Sequence, residues 1–164
     1  MDKIETISGN LLDFPPYCQT DPNRDTGINN IAHSCNCRMI MGGGIAKQIK
    51  NRYPQAYEAD VKFICDEYDE EGQFKYALGN YSKAVIEIKF LPNNKATIYN
   101  LYTQASIGGD SRQVNYEKFW QALKNMHGIS CGLAGGNWGI IKAMIEDIFL
   151  DSLIKTYIVR FDLA

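Results

Sequence analysis

Residues 33–46 read HSCNCRMIMGGGIA and contain a triple glycine, Gly42 to Gly44. An apolar run at 28–32 leads into this stretch, and a helix-like segment at 45–53 follows it. Glycines have no Cβ, so their backbone N–H groups can approach a ligand closely and adopt positive φ without strain. Because these N–H groups precede the N-terminus of a helix, the stretch predicts an anion site, normally one for phosphate.

The triple glycine by itself leaves an alternative open, because glycine triplets also occur in plain flexible loops. Asn36 stands just ahead of the loop, where its amide is suited to fix a sugar hydroxyl. This favours a phosphorylated, nucleotide-like ligand. The pattern GxxxxGK[ST] is absent from the sequence, and no GxGxxG follows the first strand, so neither a P-loop NTPase nor an ordinary dinucleotide fold is favoured.

The composition is typical of a globular domain. The chain has 164 residues, 45% hydrophobic and 22% charged, which suits one domain over 1–164. A net charge of −2 without a basic cluster disfavours duplex nucleic acid as a partner. No apolar run is long enough to span a membrane, and the first residues do not resemble a signal peptide. We therefore expect a cytoplasmic monomer with no membrane partner.

The five cysteines, at 18, 35, 37, 65 and 131, include no CxxC pair, which favours a reduced intracellular chain. His33, Cys35 and Cys37 alternate, so a strand would place all three on one face. A metal site needs a further ligand, and the sequence offers none at a recognisable spacing. We expect buried cysteines, no metal and no cofactor.

The hydrophobic pattern predicts strands that alternate with helices. Predicted strands lie at 4–8, 28–33, 76–79, 84–90, 97–102, 129–131 and 155–161, and predicted helices at 45–53, 54–68, 116–126 and 138–150. The strands at 84–90 and 97–102 are expected to form a hairpin around the turn at 92–94. The alternation indicates an α/β fold of three layers, α/β/α, with a mixed central sheet.

A second glycine-rich loop, from Gly132 to Asn137, also lies between a predicted strand and a predicted helix. In α/β sheets, ligands bind outside the carboxyl ends of the strands. Two such loops can hold an extended anion from both sides, and a diphosphate that links two sugars is the obvious candidate.

Taken together, these motifs resemble the macro domain family over nearly the whole chain. The resemblance rests on Gly9 to Leu12, on the strand Ile31 to Asn36, on the loop Gly42 to Ala46, on Arg52 to Ala56 and on the loop Ser130 to Trp138. It is nearest to the branch of ADP-ribose-1″-phosphate phosphatases, or Appr-1″-p processing proteins. The fold that it implies is a three-layer α/β/α macro domain.

The resemblance implies a metal-independent phosphatase that binds ADP-ribose and releases the terminal phosphate of ADP-ribose-1″-phosphate. It also implies that Asn36 holds the distal ribose close to the scissile phosphate. The candidate catalytic residues are His33, Asn36 and Asn137, and Asn137 is the candidate for positioning water. The implied substrate-binding residues are Asn10, Leu11, Leu12, Ser34, Cys35, Asn36, Met41, Gly42, Gly43, Gly44, Ile45, Ala46, Ser130, Cys131, Gly132, Leu133, Ala134, Gly135 and Gly136.

His33 is the candidate acid or base, because the ordinary pKa of histidine lies near neutrality. The alternative is that His33 is a hydrogen-bonded core residue. Cys35 is a poor candidate for a phosphate-accepting nucleophile, because the chain has no C-x₅-R cradle around it.

Three departures from the family pattern bear on function. Asn10 replaces the aspartate that meets adenine, and Asn137 stands where related sequences often carry an acid. The lysine and aspartate of the branch that cleaves carboxylate esters are absent, with Gln104 or its neighbours and Ala134 in those places. The departures keep two alternatives open: an ADP-ribose reader without catalysis, and a hydrolase that removes ADP-ribosyl groups from protein or nucleic acid. A nicotinamide dehydrogenase is disfavoured, since no set of hydride-transfer residues is visible.

Overall fold

A mixed six-stranded sheet, seen in a computed structural model of the chain, forms the middle layer of the molecule. The described residues are 4–13, 30–67, 77–87, 95–108, 114–125, 131–132, 137–150 and 156–160. The strands are β1 (Ile4–Ser8), β2 (Asn30–Asn36), β3 (Tyr81–Glu87), β4 (Lys95–Gln104), β5 (Cys131–Gly132) and β6 (Thr156–Arg160).

The sheet order is β1-β6-β5-β2-β4-β3. All neighbouring strands are parallel except β3, which runs antiparallel to β4. This confirms the mixed sheet and the pairing that was expected of the hairpin. It also places β2, the strand that leads to the triple glycine, in the interior of the sheet.

Helices cover both faces of the sheet, which confirms the three-layer α/β/α fold. The helices are α1 (Gly44–Arg52), α2 (Pro54–Glu67), α3 (Tyr116–Asn125) and α4 (Trp138–Phe149), and a short 3₁₀ turn spans Leu11–Asp13. On one face, Ile49 of α1 packs with Ile31 and Ile98. On the other face, Phe119 of α3 and Ile141 of α4 belong to a separate apolar cluster that contains Ala32 and Leu101.

The boundary between α1 and α2 follows from the local sequence. Tyr53 caps α1 with φ −134° and ψ 75°, and its N–H donates to the Ile49 carbonyl at 2.7 Å. A residue before proline is disfavoured in the helical conformation, so Pro54 ends α1 at this point. Proline is well tolerated in the first turn of a helix, and α2 begins at Pro54.

One predicted strand is wrong where the structure describes it. Residues 77–79 of the expected strand at 76–79 form a turn, in which the Asn80 N–H donates to the Ala77 carbonyl at 2.9 Å. Gly79 has φ +89°, and a Cβ there would approach Gln121 Oε1 to 2.8 Å. A short apolar run cannot reveal such a requirement, because it comes from packing against α3.

The other predicted elements agree in type and differ at their ends. Helix α1 begins at Gly44 rather than at 45, and β2 continues to Asn36. Strand β3 spans 81–87 instead of 84–90, and β4 extends over 95–104. The predictions for residues 28–29, 68, 76, 88–90, 126, 129–130, 155 and 161 lie outside the described residues.

Candidate functional site

The N-terminus of α1 is open to a ligand. Its N-cap, Gly43, is extended, with φ −143° and ψ 168°, and supplies no side-chain cap. The first intrahelical bond joins the Lys47 N–H to the Gly43 carbonyl at 3.1 Å. The N–H groups of Gly44, Ile45 and Ala46 therefore have no acceptor one turn back. The nine residues of α1 include no acid in the first turn, so the positive end of the helix dipole is not neutralised locally.

The glycines ahead of α1 border unoccupied space. Gly42, Gly43 and Gly44 are all exposed. A Cβ at Gly43 or Gly44 would meet no atom of the described residues within 4 Å, whereas one at Gly42 would lie 3.8 Å from Ile40. Gly44 has φ +53°, a conformation that favours glycine. The loop therefore combines an accessible backbone with room for a bulky anion.

Asn36 shapes the turn between β2 and the glycines. Its Oδ1 accepts from the N–H groups of Arg38 at 2.9 Å and Ile40 at 3.3 Å. Its Nδ2 donates to the Ile40 carbonyl at 2.7 Å. Inside this turn Met39 has φ 57°, which is rare for a residue with a side chain. An amide has two N–H donors, and the described part of the chain presents no acceptor for the second one.

A hydroxyl pair lies beside Asn36 at the carboxyl ends of β2 and β4. Ser34 Oγ and Thr103 Oγ1 form a short hydrogen bond. The register shifts between Cys35 and Asn36, so Asn36 faces Gln104 and the extra residue, Thr103, bulges from β4. Bulges of this kind redirect side chains and recur next to functional sites.

His33 lies in the core, away from the glycine loop. Its ring is fully buried, and Nε2 is 2.7 Å from Asn100 Oδ1. The Nδ2 of Asn100 donates to the Ala56 carbonyl at 2.8 Å and to Ser82 Oγ at 2.9 Å. The amide oxygen of Asn100 must then accept, so Nε2 of His33 carries the proton. Burial lowers the pKa of His33 to about 4, which favours a neutral, structural histidine at physiological pH.

The two thiols near His33 are buried and resist ionisation. Cys35 Sγ lies 3.6 Å from His33 Nδ1, and both Cys35 and Cys37 belong to an apolar cluster with Ile64 and Tyr102. Desolvation raises the pKa of Cys35 well above its ordinary value and that of Cys37 to about 11. Because the thiolate is the nucleophile, both side chains are poorly suited to accept phosphate.

A buried carboxyl completes this polar group beneath α2. Asp60 Oδ1 accepts from the Tyr102 hydroxyl at 2.9 Å, and Ser82 Oγ lies 2.9 Å from the same hydroxyl. Burial raises the pKa of Asp60 to about 6 against the opposing effects of Tyr102 and Lys50. We call His33, Asn100, Ser82, Tyr102 and Asp60 the buried polar network. It joins β2, β3, β4 and α2.

Asn137 caps α4, in contrast to the bare end of α1. Its Oδ1 accepts from the N–H groups of Gly139 at 2.9 Å and Ile140 at 3.4 Å. Its own N–H donates to the Tyr116 hydroxyl at 2.7 Å. The amide oxygen proposed for water is therefore engaged in holding the helix end.

The segment expected to meet adenine, Asn10 to Leu12, is hydrogen-bonded to side chains of α1. Asn10 Oδ1 accepts from the Leu12 N–H at 3.0 Å, while its Nδ2 donates to Gln48 Oε1 at 3.1 Å. Arg52 Nη1 donates to the Leu12 carbonyl at 3.0 Å. Leu11 and Leu12 are buried in the core, and both backbone polar groups of Leu12 are engaged by these bonds, so neither residue presents an exposed surface to a ligand.

The structure describes some of the remaining candidate residues and not others. Met41 is buried. Ile45 and Ala46, in the first turn of α1, are half-buried. Cys131 and Gly132 form β5 and pair with Ala32 and His33. Ser130, Leu133, Ala134, Gly135 and Gly136 lie outside the described residues.

The fold adds three residues that sequence reasoning missed. Met39 adopts the left-handed conformation, Thr103 bonds to Ser34, and Tyr116 holds the N–H of Asn137. The helical spacing marked Tyr116 as a core aromatic, which gave no sign of its hydroxyl contact. Neither Met39 nor Thr103 carries a local signal, because each role depends on a neighbouring strand or loop.

No group of three His, Cys, Asp or Glu side chains within the described residues could hold a metal ion. Among the helices of the described segments, none is long and apolar enough to cross a membrane.

Comparison with curated proteins gives two informative relatives, although no protein-family model matches the chain. An uncharacterized 17.5 kDa protein from the tk-vs intergenic region of Enterobacteria phage T4 is 30% identical over 129 residues, which cover 71% of this chain and 77% of the relative. The ADP-ribose 1″-phosphate phosphatase of Saccharomyces cerevisiae (strain YJM789) is 37% identical over 68 residues. That match covers 42% of this chain and spans only 32% of the yeast protein.

Several solved structures with the same fold are macrodomains. A macrodomain protein from Streptomyces coelicolor superposes with a TM-score of 0.64 at 21% identity, over 98% of this chain and 99% of that one. The macrodomain of Thermus aquaticus DarG gives 0.63 at 19% identity over 98% of both chains. Thermosipho africanus DarTG in complex with ADP-ribose gives 0.59 at 14% identity, over 83% of this chain and 38% of that one.

Proposed function

This chain has the macrodomain fold and belongs to the same family as the 17.5 kDa protein of phage T4, and from that premise we propose that it binds ADP-ribose and hydrolyses the terminal phosphate of ADP-ribose-1″-phosphate. Two relatives support this choice of ligand. One is the ADP-ribose complex of a protein that shares the fold, and the other is the partial match to the yeast phosphatase.

The observation that carries the proposal is the bare N-terminus of α1. Within the described residues, the N–H groups of Gly44, Ile45 and Ala46 have no helical acceptor and no side-chain cap, and they lie at the positive end of the helix next to the exposed Gly43. A diphosphate offers several acceptor oxygens and negative charge in one group. It is therefore the part of ADP-ribose that this loop is best suited to bind.

Asn36 is the residue we propose for the distal ribose. Its Oδ1 and one N–H are engaged in the turn that precedes the glycines, and an amide has a second N–H that can donate to a ribose hydroxyl. The same bonds fix the position of the amide relative to the phosphate loop. A rigid donor of this kind costs little reorganisation when the substrate binds.

The proposed reaction is attack of water on the terminal phosphorus. The water oxygen bonds to this phosphorus, the bond between the phosphorus and the 1″ oxygen breaks, and the 1″ oxygen takes up the proton that the water gives up, so the products are ADP-ribose and inorganic phosphate. Positioning and the fixed dipoles of the loop supply the rate enhancement, because the buried thiols of Cys35 and Cys37 are protonated and His33 is buried and neutral. We assign no proton transfer to His33.

The test combines phosphate release from ADP-ribose-1″-phosphate, measured with and without a chelator, with calorimetric titration by ADP-ribose. We expect release in both conditions. Asn36→Ala should raise the Kd for ADP-ribose by roughly tenfold or more, because it removes a ribose donor and loosens the turn. The matched control is Asn51→Ala, which changes an exposed asparagine of α1 and should leave both measurements unchanged.

The outcomes separate the parts of the proposal. Unchanged affinity and turnover in Asn36→Ala would show that the ribose does not lie at Asn36. Release that stops with chelator would show a metal requirement. Absence of both binding and release in the wild type would mean that the glycine loop serves a different ligand.

A second candidate, an ADP-ribose reader without useful catalysis, is favoured by the state of two candidate catalytic residues. Asn137 carries no charge and is engaged as a helix cap, and His33 is buried. Tight ADP-ribose binding without phosphate release would favour the reader. Release of a labelled ADP-ribosyl group from a modified protein or nucleic acid, with no 1″-phosphate present, would instead indicate a hydrolase of another ADP-ribosyl bond.

A further inference from the structure

The outer edge of β3 carries a pattern that the proposed function does not use. β3 is the last strand in the sheet order, and among the described residues only β4 pairs with it. It is seven residues long and contains neither proline nor glycine. An open strand edge of this kind presents backbone N–H and C=O groups that can pair with another strand.

The hydrogen bonds to β4 show which residues of β3 face the open edge. The Tyr102 N–H donates to the Asn80 carbonyl at 3.0 Å, so Asn80 faces β4. In an antiparallel pair, residues that face the partner strand alternate with residues that face away from it. The odd-numbered residues Lys83, Val85 and Glu87 therefore direct their N–H and C=O groups to the outer edge.

The same three residues have exposed side chains. Burial alternates along β3, with Ala84 and Ile86 buried beneath α2 and their neighbours exposed. Val85 is 54% exposed, one of the largest values for an apolar side chain among the described residues. An exposed valine at the middle of an open edge favours contact with another apolar group.

The charges at the edge are self-complementary in one arrangement. Lys83 and Glu87 lie at equal distances in sequence on either side of Val85. If two copies of β3 pair antiparallel with Val85 opposite Val85, each Lys83 faces the Glu87 of the other copy. Antiparallel pairing centred on Lys83 places the two Lys83 side chains opposite each other, and pairing centred on Glu87 does the same for the two Glu87 side chains. Parallel pairing in register brings both of these like-charged pairs together. Oppositely charged cross-strand pairs are stabilising, and like pairs are destabilising.

We propose that the chain forms a two-fold homodimer in which β3 pairs antiparallel with β3 of a second copy, centred on Val85. The odd-numbered pairs exchange main-chain hydrogen bonds, and Glu87 then lies between Lys83 of the second copy and Lys95, its neighbour on β4. This proposal replaces the monomer expected from the sequence, in which the strand at the edge of the sheet is not apparent.

The dimer leaves the candidate functional site open. The pairing uses the edge of β3 that faces away from β4, whereas Asn36 and the glycine loop follow β2, on the other side of β4. The inference therefore stands independently of the proposed function, and it goes beyond it.

The test is sedimentation velocity over a range of protein concentrations. The wild type should shift toward the dimer as concentration rises, and added salt should weaken the dimer. Lys83→Glu and Glu87→Lys should each raise the dimer dissociation constant by about tenfold, because each change opposes like charges in two symmetry-related pairs. The double variant Lys83→Glu/Glu87→Lys exchanges the charges across the interface and should associate more tightly than either single variant.

The control is Lys62→Glu, which makes the same change of charge at an exposed position of α2 and should associate like the wild type. Thermal unfolding confirms that each variant is folded. A wild type that remains monomeric at all concentrations would overturn the proposal. Failure of the double variant to recover, or equal weakening by Lys62→Glu, would also overturn it, since general charge effects would then explain the result.

Discussion

The N-termini of α1 and α4 arise from similar strand–glycine–helix sequences and end in opposite states. At α1 the N-cap is Gly43, which offers no side-chain cap to the first-turn N–H groups. At α4 the N-cap is Asn137, whose side chain accepts from Gly139 and Ile140. A helix end can thus be completed by the chain or left for a ligand, and one residue at the N-cap decides between them.

The side chains that pack against β2, which leads to α1, differ in kind from those that pack against α4. β2, which precedes α1, is backed by the buried polar network and by two buried thiols. α4 packs through Ile141, Ile145 and Phe149 into a cluster of apolar side chains. The strand that leads to α1 is therefore in contact with ionisable side chains, whereas α4 is held in place by apolar contacts.

The largest expected effect is on ligand binding at the bare end. Gly43→Val places a side chain in the open space where we propose the diphosphate, while φ −143° is allowed for valine. We expect the Kd for ADP-ribose in calorimetry to rise by about 100-fold. The free energy of unfolding should fall by about 1 kcal/mol, since valine is a much poorer N-cap than glycine.

The matched control lies in the first turn of α4. Gly139→Ala adds a Cβ at 3.3 Å from Asn137 Oδ1 and should leave the Kd for ADP-ribose within about twofold. Equal loss of affinity in both variants would break the distinction between a bare end and a capped end.

The second largest expected effect is a pH dependence of stability that arises from the buried polar network. The pKa of His33 is lowered to about 4 in the folded state, so its contribution to stability is lost as pH falls from about 6.5 to about 4. The pKa of Asp60 is raised to about 6, so its contribution has the opposite sign and grows as pH falls from about 6 to about 4. Each contribution is on the order of 3 kcal/mol at most.

The two contributions can be separated by thermal unfolding between pH 7.5 and about 4.5. Asp60→Asn should make the melting temperature fall more steeply with acid than in the wild type, and His33→Gln should make it fall less steeply. Glu58→Gln, an exposed change on α2, serves as the control and should keep the wild-type slope. Parallel slopes in all four proteins would show that the buried polar network does not titrate as described.

The smallest expected effect concerns the capped end. Asn137→Ala removes the acceptor for Gly139 and Ile140 and should lower the free energy of unfolding by about 1 kcal/mol. Asn137→Asp keeps an acceptor at this position and should restore the stability in denaturant titrations at pH 7. Neither change should raise the Kd for ADP-ribose by more than about threefold. A loss of affinity in Asn137→Ala as large as that in Gly43→Val would place the ligand at both helix ends.

Sequence reasoning was most successful where local chemistry decides the outcome. The triple glycine, Pro54 and the helical spacing of Phe119 predicted α1, the start of α2 and α3, because each depends on neighbouring residues in the chain. It failed at 77–79, where an apolar run forms a turn that packs against α3.

By itself, the sequence determined the α/β class, the mixed sheet and the glycine loop that precedes α1, because hydrophobic periodicity and glycine placement are local properties. Only the tertiary structure decided that His33 is buried against Asn100, that Tyr116 holds Asn137, and that β3 lies at the edge of the sheet. These features join residues distant in the chain. Burial, hydrogen-bond partners and strand order are set by how the helices and strands pack together. They cannot be read from the local pattern of residue types along the chain.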